Sequence, residues 1–376
     1  MAHGEDGADV ARQLIAQLEG PDLVLALVFH DWRLDPHVIA RAMQHGLPGA
    51  VTAGCTALDV IGPGPGTAVA IGLYGDWVRV GVGMASELSK SPLTRSRDAV
   101  HTAAAMLGHT AGSLDPERHV GITLLDGTCG HEEAFCIGSA AAAPQIRVVG
   151  GCAGTELDST RRAFVWARGE TLVDAGLVLV LDSKLPCHAL RSSHLVATDL
   201  RTVVTAASGR RLEELDGRPA SRRLRELIAE LGETLPARPV HTFARFVDGI
   251  PYVRSIVSHD ETCVTLATAV EPGHVLRVMR PGDLIGTTRR DLAIAAERVG
   301  GTLGAVIAFS CAGRQWEAAA RGLEGELAEV YAAHPTAGFH SLGEQSGMLL
   351  VNHTLTGLAI GTSEPAPVVT RERRPT

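Results

Sequence analysis

Residues 146–158, IRVVGGCAGTELD, decide how this chain is read. Four residues, IRVV, carry the apolar and β-branched character of a buried strand. The run then meets a tight turn of small residues, Gly150-Gly151-Cys152-Ala153-Gly154, followed by polar Thr155, Glu156 and Asp158. Glycines at such a point let a backbone approach a ligand or a second strand closely. The same form occurs earlier at 49–58, GAVTAGCTAL, and later at 305–314, AVIAFSCAGR. Three times a strand of small apolar residues runs onto a cysteine with small neighbours.

The order of elements around the first two copies repeats. Residues 23–29, LVLALVF, form an apolar run that ends at His30-Asp31, and residues 120–125, VGITLL, end at Asp126-Gly127. A helix follows each: 36–45, opened by the N-cap and first-turn proline Asp35-Pro36, and 132–141. Then come the AGC and GGC strands, and after each a β-pair. The unit recurs after roughly 95 residues, the mark of an internal duplication. The expected fold is therefore mixed α/β. A duplicated strand–helix–strand-plus-hairpin domain comes first, with copies at about 23–95 and 118–182, and a smaller α/β domain follows. The boundaries are drawn at 20–219 and 220–362. The Pro- and Arg-rich tail 363–376 is expected to be disordered.

Composition narrows the function. With 45% hydrophobic and 20% charged residues, the 376-residue chain can bury a substantial core. A net charge of -8 and the lack of a basic arm argue against nucleic-acid binding. The acidic N-terminus has no apolar signal core, and no apolar run is long and charge-free enough to span a bilayer. Seven scattered cysteines without CxxC spacing read as reduced thiols, which points to the cytoplasm. With Lys90 and Lys184 the only lysines, a GK[ST] phosphate loop is excluded.

Taken together, GAVTAGCTA, TLLDG, IRVVGGCAG, VVTAASGRRLEELDGRPA, YVRSIVSHD, AVIAFSCAGR and GFHSLGEQSGMLLVNHTLTGLAI resemble the FIST family, with its N-terminal domain followed by its C-terminal domain. The resemblance runs in the family's order over nearly the whole chain. It implies a cytoplasmic sensory module for a small ligand such as an amino acid. Some members are similar to haem-containing nitric-oxide sensors that act on a histidine kinase. This chain shows no kinase, receiver, cyclase or methyl-accepting segment, so signalling would need a separate histidine kinase or other signalling protein.

The candidate ligand residues follow from the strand ends. Cys55, Gly151, Cys152 and Cys311 would wall a pocket of small side chains and backbone N–H groups able to hold an anion; the plain alternative is small residues chosen for packing. Arg314, just after FSCAG, would fork onto a carboxylate. Glu344, in SLGEQSG, would pair with a ligand amine or with Arg314. Asn352 and His353 would add polar lining. Asp126 is either a ligand acceptor or an Asx-turn residue. His194 and His340 are the candidate haem ligands, since an axial histidine leaves almost no sequence signature. The group Cys129, His131, Glu132, Glu133 and Cys136 lacks zinc spacing, so no metal is assigned. No residue is given a catalytic role. A cysteine enzyme built on Cys152 or Cys311 ranks behind both sensor readings, because neither has a base or cation adjacent in sequence.

Overall fold

The computed structural model describes residues 1–156, 160–236 and 238–362. The expected tail at 363–376 and Asp158 of the opening stretch lie outside these residues. The mixed α/β architecture expected from sequence is present, and the parallel strand–helix–strand unit appears where the sequence put it. Leu23–Asp31 pairs in parallel with Val51–Ala57 across the helix Pro36–Gly46. His119–Asp126 pairs in parallel with Arg147–Ala153 across Glu132–Ala142. Asp35 caps the first crossover helix by accepting from the N–H of His37 and Val38, with Pro36 in its first turn.

A third copy then appears in the C-terminal part. Leu303–Cys311 pairs in parallel with Thr336–Ser341 across the helices Ala312–Arg321 and Glu324–Ala332. The two helices are separated at Gly322, which lies in the left-handed region. In all three copies an antiparallel strand returns beside the first strand: Ala68–Tyr74, Gly176–Ser183 and Leu355–Gly361.

The β-pair that follows each parallel unit differs from a simple hairpin. Val78–Ala85 leaves the first copy and pairs with Gly176–Ser183 of the second. Cys187–Ser192 leaves the second copy and pairs with Leu355–Gly361 of the third. Short strands are handed the other way: Val60–Ile61 to the third copy, Val165–Ala167 to the first, Glu344–Ser346 to the second. Gly75 makes a turn with positive φ, but the strands on either side of it enter different sheets. The exchange ties the three sheets into one body.

Strand alternation then builds two kinds of core. Leu25, Leu27 and Phe29 point inward to meet Ile122 and Leu124, Ile307 and Phe309. Ala26 and Val28 point outward onto the helices Gly7–Leu18 and Pro36–Gly46. Helices cover the outer face of the second and third copies in the same way. At the centre, Phe29 lies 4.9 Å from Phe339 and 6.1 Å from Phe309, ring centre to ring centre. Each such fully buried ring contributes roughly 1.5–3 kcal/mol.

Between the second and third copies the chain builds a separate seven-stranded antiparallel sheet from Val196–Ser208, Val275–Arg280, Thr242–Val247, Ile250–His259, Val264–Leu266, Arg211–Leu215 and Arg218–Pro219. The amphipathic helix Ala220–Glu230 packs on one face, burying Leu224, Leu227 and Ile228 against Phe243 and Val278. The other face turns toward the three-copy body.

Candidate functional site

All six parallel strands run toward the same end of the body, and residues within three positions of each strand end line cavities there. Trp32 and Arg33 follow the first strand, Leu58 and Asp59 the second, Gly127 and Thr128 the third, Thr155 and Glu156 the fourth, Ala312 and Gly313 the fifth, and Leu342 the sixth. Open α/β sheets bind ligands outside the carboxyl ends of their strands, where loops are free to vary. The inserted sheet closes the opposite side through Arg210, Ser255, Val257 and Ala267.

The space is divided into neighbouring chambers that share wall residues. One of about 370 Å³ lies between Trp32, Arg33, Leu58, Asp59, Arg238, Trp316 and His340. A second of about 410 Å³ is bounded by Gly127, Thr128, Thr160, Arg161, Arg162 and Arg210. Glu156 borders both. A third of about 520 Å³ runs under the Gly62–Gly66 loop and shares His340 with the first. The innermost, about 50 Å³, lies behind Trp316 and Ala312.

Five arginines and two carboxylates border the first two chambers, and three of the arginines have a carboxylate partner of their own, Arg33 with Asp31 at 2.8 Å among them. The guanidinium of Arg33 stacks 4.9 Å over Trp32, and Arg161 lies 5.1 Å over the same indole. Arg238 lies 4.9 Å over Trp316. Such stacking holds long cationic side chains in place and gives a ligand flat apolar surface beside positive charge. Arg162 reaches Asp126 at 3.1 Å, and Arg210 pairs with the buried Glu132.

Behind the innermost chamber lies a buried polar network. Glu317 accepts from His194 Nε2 at 2.8 Å and from His353 Nε2 at 2.9 Å, and Arg321 binds its other oxygen at 2.6 Å. Arg314, fully buried, binds Thr288 Oγ1 at 2.7 Å, Ser310 Oγ at 3.3 Å and His194 Nδ1 at 3.3 Å. Burial raises the Glu317 carboxyl, but the hydrogen bonds from His194 and His353 outweigh it and hold the group well below the usual carboxylate range. Burial pushes His194 down to about 4. The ligand atoms of His194, Glu317 and His353 fall within 4.8 Å of one another, the size of a metal site. The geometry reads differently. A guanidinium only donates, so His194 Nδ1 is the acceptor and its proton sits on Nε2, where it faces Glu317. A cation beside Glu317 would need a lone pair on Nε2, which this tautomer does not have. The cluster is a hydrogen-bonded brace for the helix Ala312–Arg321.

Glu344 sits nearby and is fully buried. Ser341 donates to one oxygen at 2.6 Å, and the Thr354 hydroxyl donates to the other at 2.6 Å. Burial pushes its carboxyl up to about 8. Burial also pushes the adjacent Cys311 thiol up, and Glu344 adds to the effect. Near neutral pH the pair is a thiol beside a carboxylic acid, so Glu344 holds its proton and is no base for the sulfur.

The sequence-selected residues divide by position. Cys311 and His353 line the innermost chamber, and His340 lines two of the larger ones. Arg314 and Glu344 stand immediately behind, bound to other side chains and not to each other. Asn352 is buried with neither amide atom partnered. Asp126 is an Asx-turn residue that accepts from the N–H and hydroxyl of Thr128, and also binds Arg162 and the Asp174 N–H. Cys55, Gly151 and Cys152 line none of these chambers. Cys55 faces the central core opposite Phe29, while Cys152 faces the helix side beside Phe135 and Cys136. Relative to their aspartates the two cysteines differ by one residue in register, which turns them to opposite faces. Cys311 is on a first strand and occupies the position of Asp31 and Asp126. Gly151 is bare because a Cβ there would come within 2.9 Å of both Phe309 and Phe339.

The two histidines expected for haem differ in what they offer. His194 uses both ring nitrogens within the brace. Burial pushes His340 down to about 4, and its Nδ1 has no partner; the chamber on one side of it is bordered by Asp59, Glu324 and Glu329, and that on the other by Arg33 and Arg238. Sequence reasoning missed Glu317, Trp32, Trp316 and Ser255. Only Glu317 carried a signal: it recurs with Arg314 and Arg321 at helical spacing on one face.

A FIST N domain matches residues 22–218 and a FIST C domain matches residues 220–347. No curated protein matches the chain in sequence. Among solved structures, a cyanuric acid hydrolase from A. caulinodans is similar at 10% identity and a TM-score of 0.37, over 96% of this chain and 98% of that one. So loose a superposition says nothing about the chemistry of this chain.

Proposed function

We propose that this chain, which belongs to the FIST family, is a sensor that takes up a small anionic metabolite, an amino acid or related carboxylate, in the cleft between its strand ends and the inserted sheet. FIST domains are associated with small-ligand sensing in signal transduction. The observation that carries the reading is the convergence of six strand ends on one set of neighbouring, arginine-bordered chambers. Their volumes fall in the range of ligand pockets, and the walls mix aromatic surface with fixed charge.

The signal would be a change in how the inserted sheet sits on the body. A ligand touching both favours the arrangement that closes on it. The readout passes to a separate protein, a histidine kinase or another signalling partner. No helix among the described residues is long and apolar enough to cross a membrane. All seven cysteines are free thiols, which supports a reducing, cytoplasmic setting.

A thermal-shift screen of the purified protein against the amino acids and small carboxylates tests the proposal. A ligand present at a hundred times its Kd should stabilise the fold by about 2.7 kcal/mol. A folded protein that responds to none of them would overturn the reading.

A further inference from the structure

Two of the chambers stand side by side and carry opposite charge. The one under the Gly62–Gly66 loop, about 520 Å³, and the one between Trp32 and Trp316, about 370 Å³, share Asp59, Gln315 and His340 as a common wall. Asp59 and Gln315 reach the rim of that wall, and both chambers are open to solvent there. His340 lies below them and is 6% exposed.

The imidazole of His340 is the group the protein leaves unused. Its neighbour Phe339 points into the central core, so strand alternation turns His340 toward the helices Ala312–Arg321 and Glu324–Ala332, where the chambers lie. Its Nδ1 is enclosed without a partner. Its Nε2 makes no bond to the protein either, but keeps accessible surface and opens on the chambers. Burial, with Arg314 adding to it, pushes the ring down to about 4, so near neutral pH it carries one proton. An enclosed N–H without an acceptor is rarer than a bare lone pair, so that proton belongs on Nε2, as a donor facing the cavity. Buried polar groups almost always have a partner, and here the open one is aimed where a ligand would be.

The charges on either side say what kind of ligand. Asp59, Glu324 and Glu329 border the larger chamber, no cationic side chain does, and none of the three carboxylates has an ion-pair partner among the described residues. On the other side, Arg33 is paired with Asp31, while Arg238 lies over Trp316 with no carboxylate partner among the described residues. Ile61 and Tyr331 give the larger chamber apolar wall between its charged rim and His340.

We propose that the ligand is an amino acid whose side chain bears a second cation, lying across this wall: its carboxylate accepts from His340 Nε2 and faces Arg238, and its ammonium or guanidinium side chain enters the larger chamber among Asp59, Glu324 and Glu329. The inference rests on the cleft being the ligand site. Within the amino acids of that reading it selects the basic ones, and it gives His340 a contact to the ligand.

The test titrates the full chain calorimetrically with lysine and arginine, and with norleucine and citrulline, which keep the shape and lack the side-chain charge. Lysine and arginine should bind about tenfold more tightly than their neutral counterparts, and the margin should shrink as salt is added. Glu324→Gln/Glu329→Gln should abolish most of that margin by weakening lysine and arginine, with norleucine and citrulline unchanged. His340→Ala should weaken all four about tenfold, since all share the carboxylate. Urea unfolding checks that both variants fold. If the neutral pair binds wild type as tightly as the basic pair, or the glutamine variant keeps the margin, the cleft reading stands and the charge assignment is wrong. Wild-type affinity in His340→Ala overturns the imidazole contact and the inference with it. If none of the four binds but another amino acid or carboxylate does, the inference alone fails; binding by none of them overturns both readings.

Discussion

Replacing Glu344 with glutamine should make the protein more stable in alkali and leave it nearly unchanged in mild acid. The carboxyl is fully buried, and burial lifts it from the ordinary value of 4.5 to about 8. Below the ordinary value the group is protonated in both the folded and unfolded chain, so it contributes no pH dependence. Above that value the unfolded chain releases the proton and the folded chain keeps it. Stability then falls by about 1.4 kcal/mol for each pH unit until the folded group also ionises. The full loss across the window is roughly 5 kcal/mol, of which roughly 3 kcal/mol falls between pH 6 and pH 9. Glutamine keeps the shape and an oxygen for Ser341 or Thr354, whose hydroxyls can rotate to suit the new amide.

The assay is urea unfolding followed by far-ultraviolet circular dichroism at pH 6, 7, 8 and 9, on wild type and Glu344→Gln in parallel. Every other titrating group is common to both proteins, so the difference between the two curves isolates Glu344. The variant should gain on the wild type steadily up to about pH 8 and then run level with it. Parallel curves across the range would show that Glu344 holds no extra proton in the folded state, and the reasoning from burial would fail. The same result would also reopen Cys311 to base catalysis, since an ionised Glu344 beside the thiol is what such chemistry requires.

Gly151→Ala should destabilise the protein by about 1–3 kcal/mol, because the new methyl group meets two packed phenylalanine rings; a urea midpoint equal to wild type would mean that the central core has room to give. Maleimide labelling of the native protein at pH 8, read by peptide mass spectrometry, should be confined to the half-buried Cys129 and Cys187. Even these should react slowly, since burial pushes the Cys129 thiol up to about 12 and raises Cys187 as well. Rapid labelling of Cys311 or Cys152 would contradict the packing assigned to them.

Local physics made much of the fold legible. The Asp35-Pro36 cap, the apolar runs at Leu23–Asp31 and His119–Asp126, and the amphipathic face of Ala220–Glu230 are all set by residues within a few positions of one another. The exchange of strands between copies was not legible. A buried strand reads as apolar whichever sheet it joins, and pairing partners a hundred residues away leave no mark on the strand itself. The cysteine pattern shows how a true regularity misleads. AGC and GGC do sit on equivalent strands, but a one-residue offset in a period-two structure reverses the facing of the side chain. The candidate site was legible only where a polar residue interrupts an apolar strand end, as at Asp126, Arg314 and Glu344. Its arginines and Trp32 come from loops, whose sequences carry no periodicity to betray a shared cavity, while Trp316 comes from the helix Ala312–Arg321.

The third copy explains why a body of three similar units has one polar corner unlike the others. In the first two copies the strand-end aspartate binds its own turn, so the corner is neutralised locally and closed to anions. Cysteine at the third position removes that carboxylate, and the turn becomes the start of the helix Ala312–Arg321. The Cys311 sulfur faces the N–H groups of Gly313 and His353, so a weak neutral acceptor stands where the other copies have a carboxylate. The neighbouring carboxyl, Glu344, is kept protonated and turned toward Ser341 and Thr354, so it does not take that place. The brace of His194, Glu317 and His353 holds the helix from the other side and offers the chamber no carboxylate oxygen. Each of these departures from the first two copies leaves the same small space without a fixed negative charge.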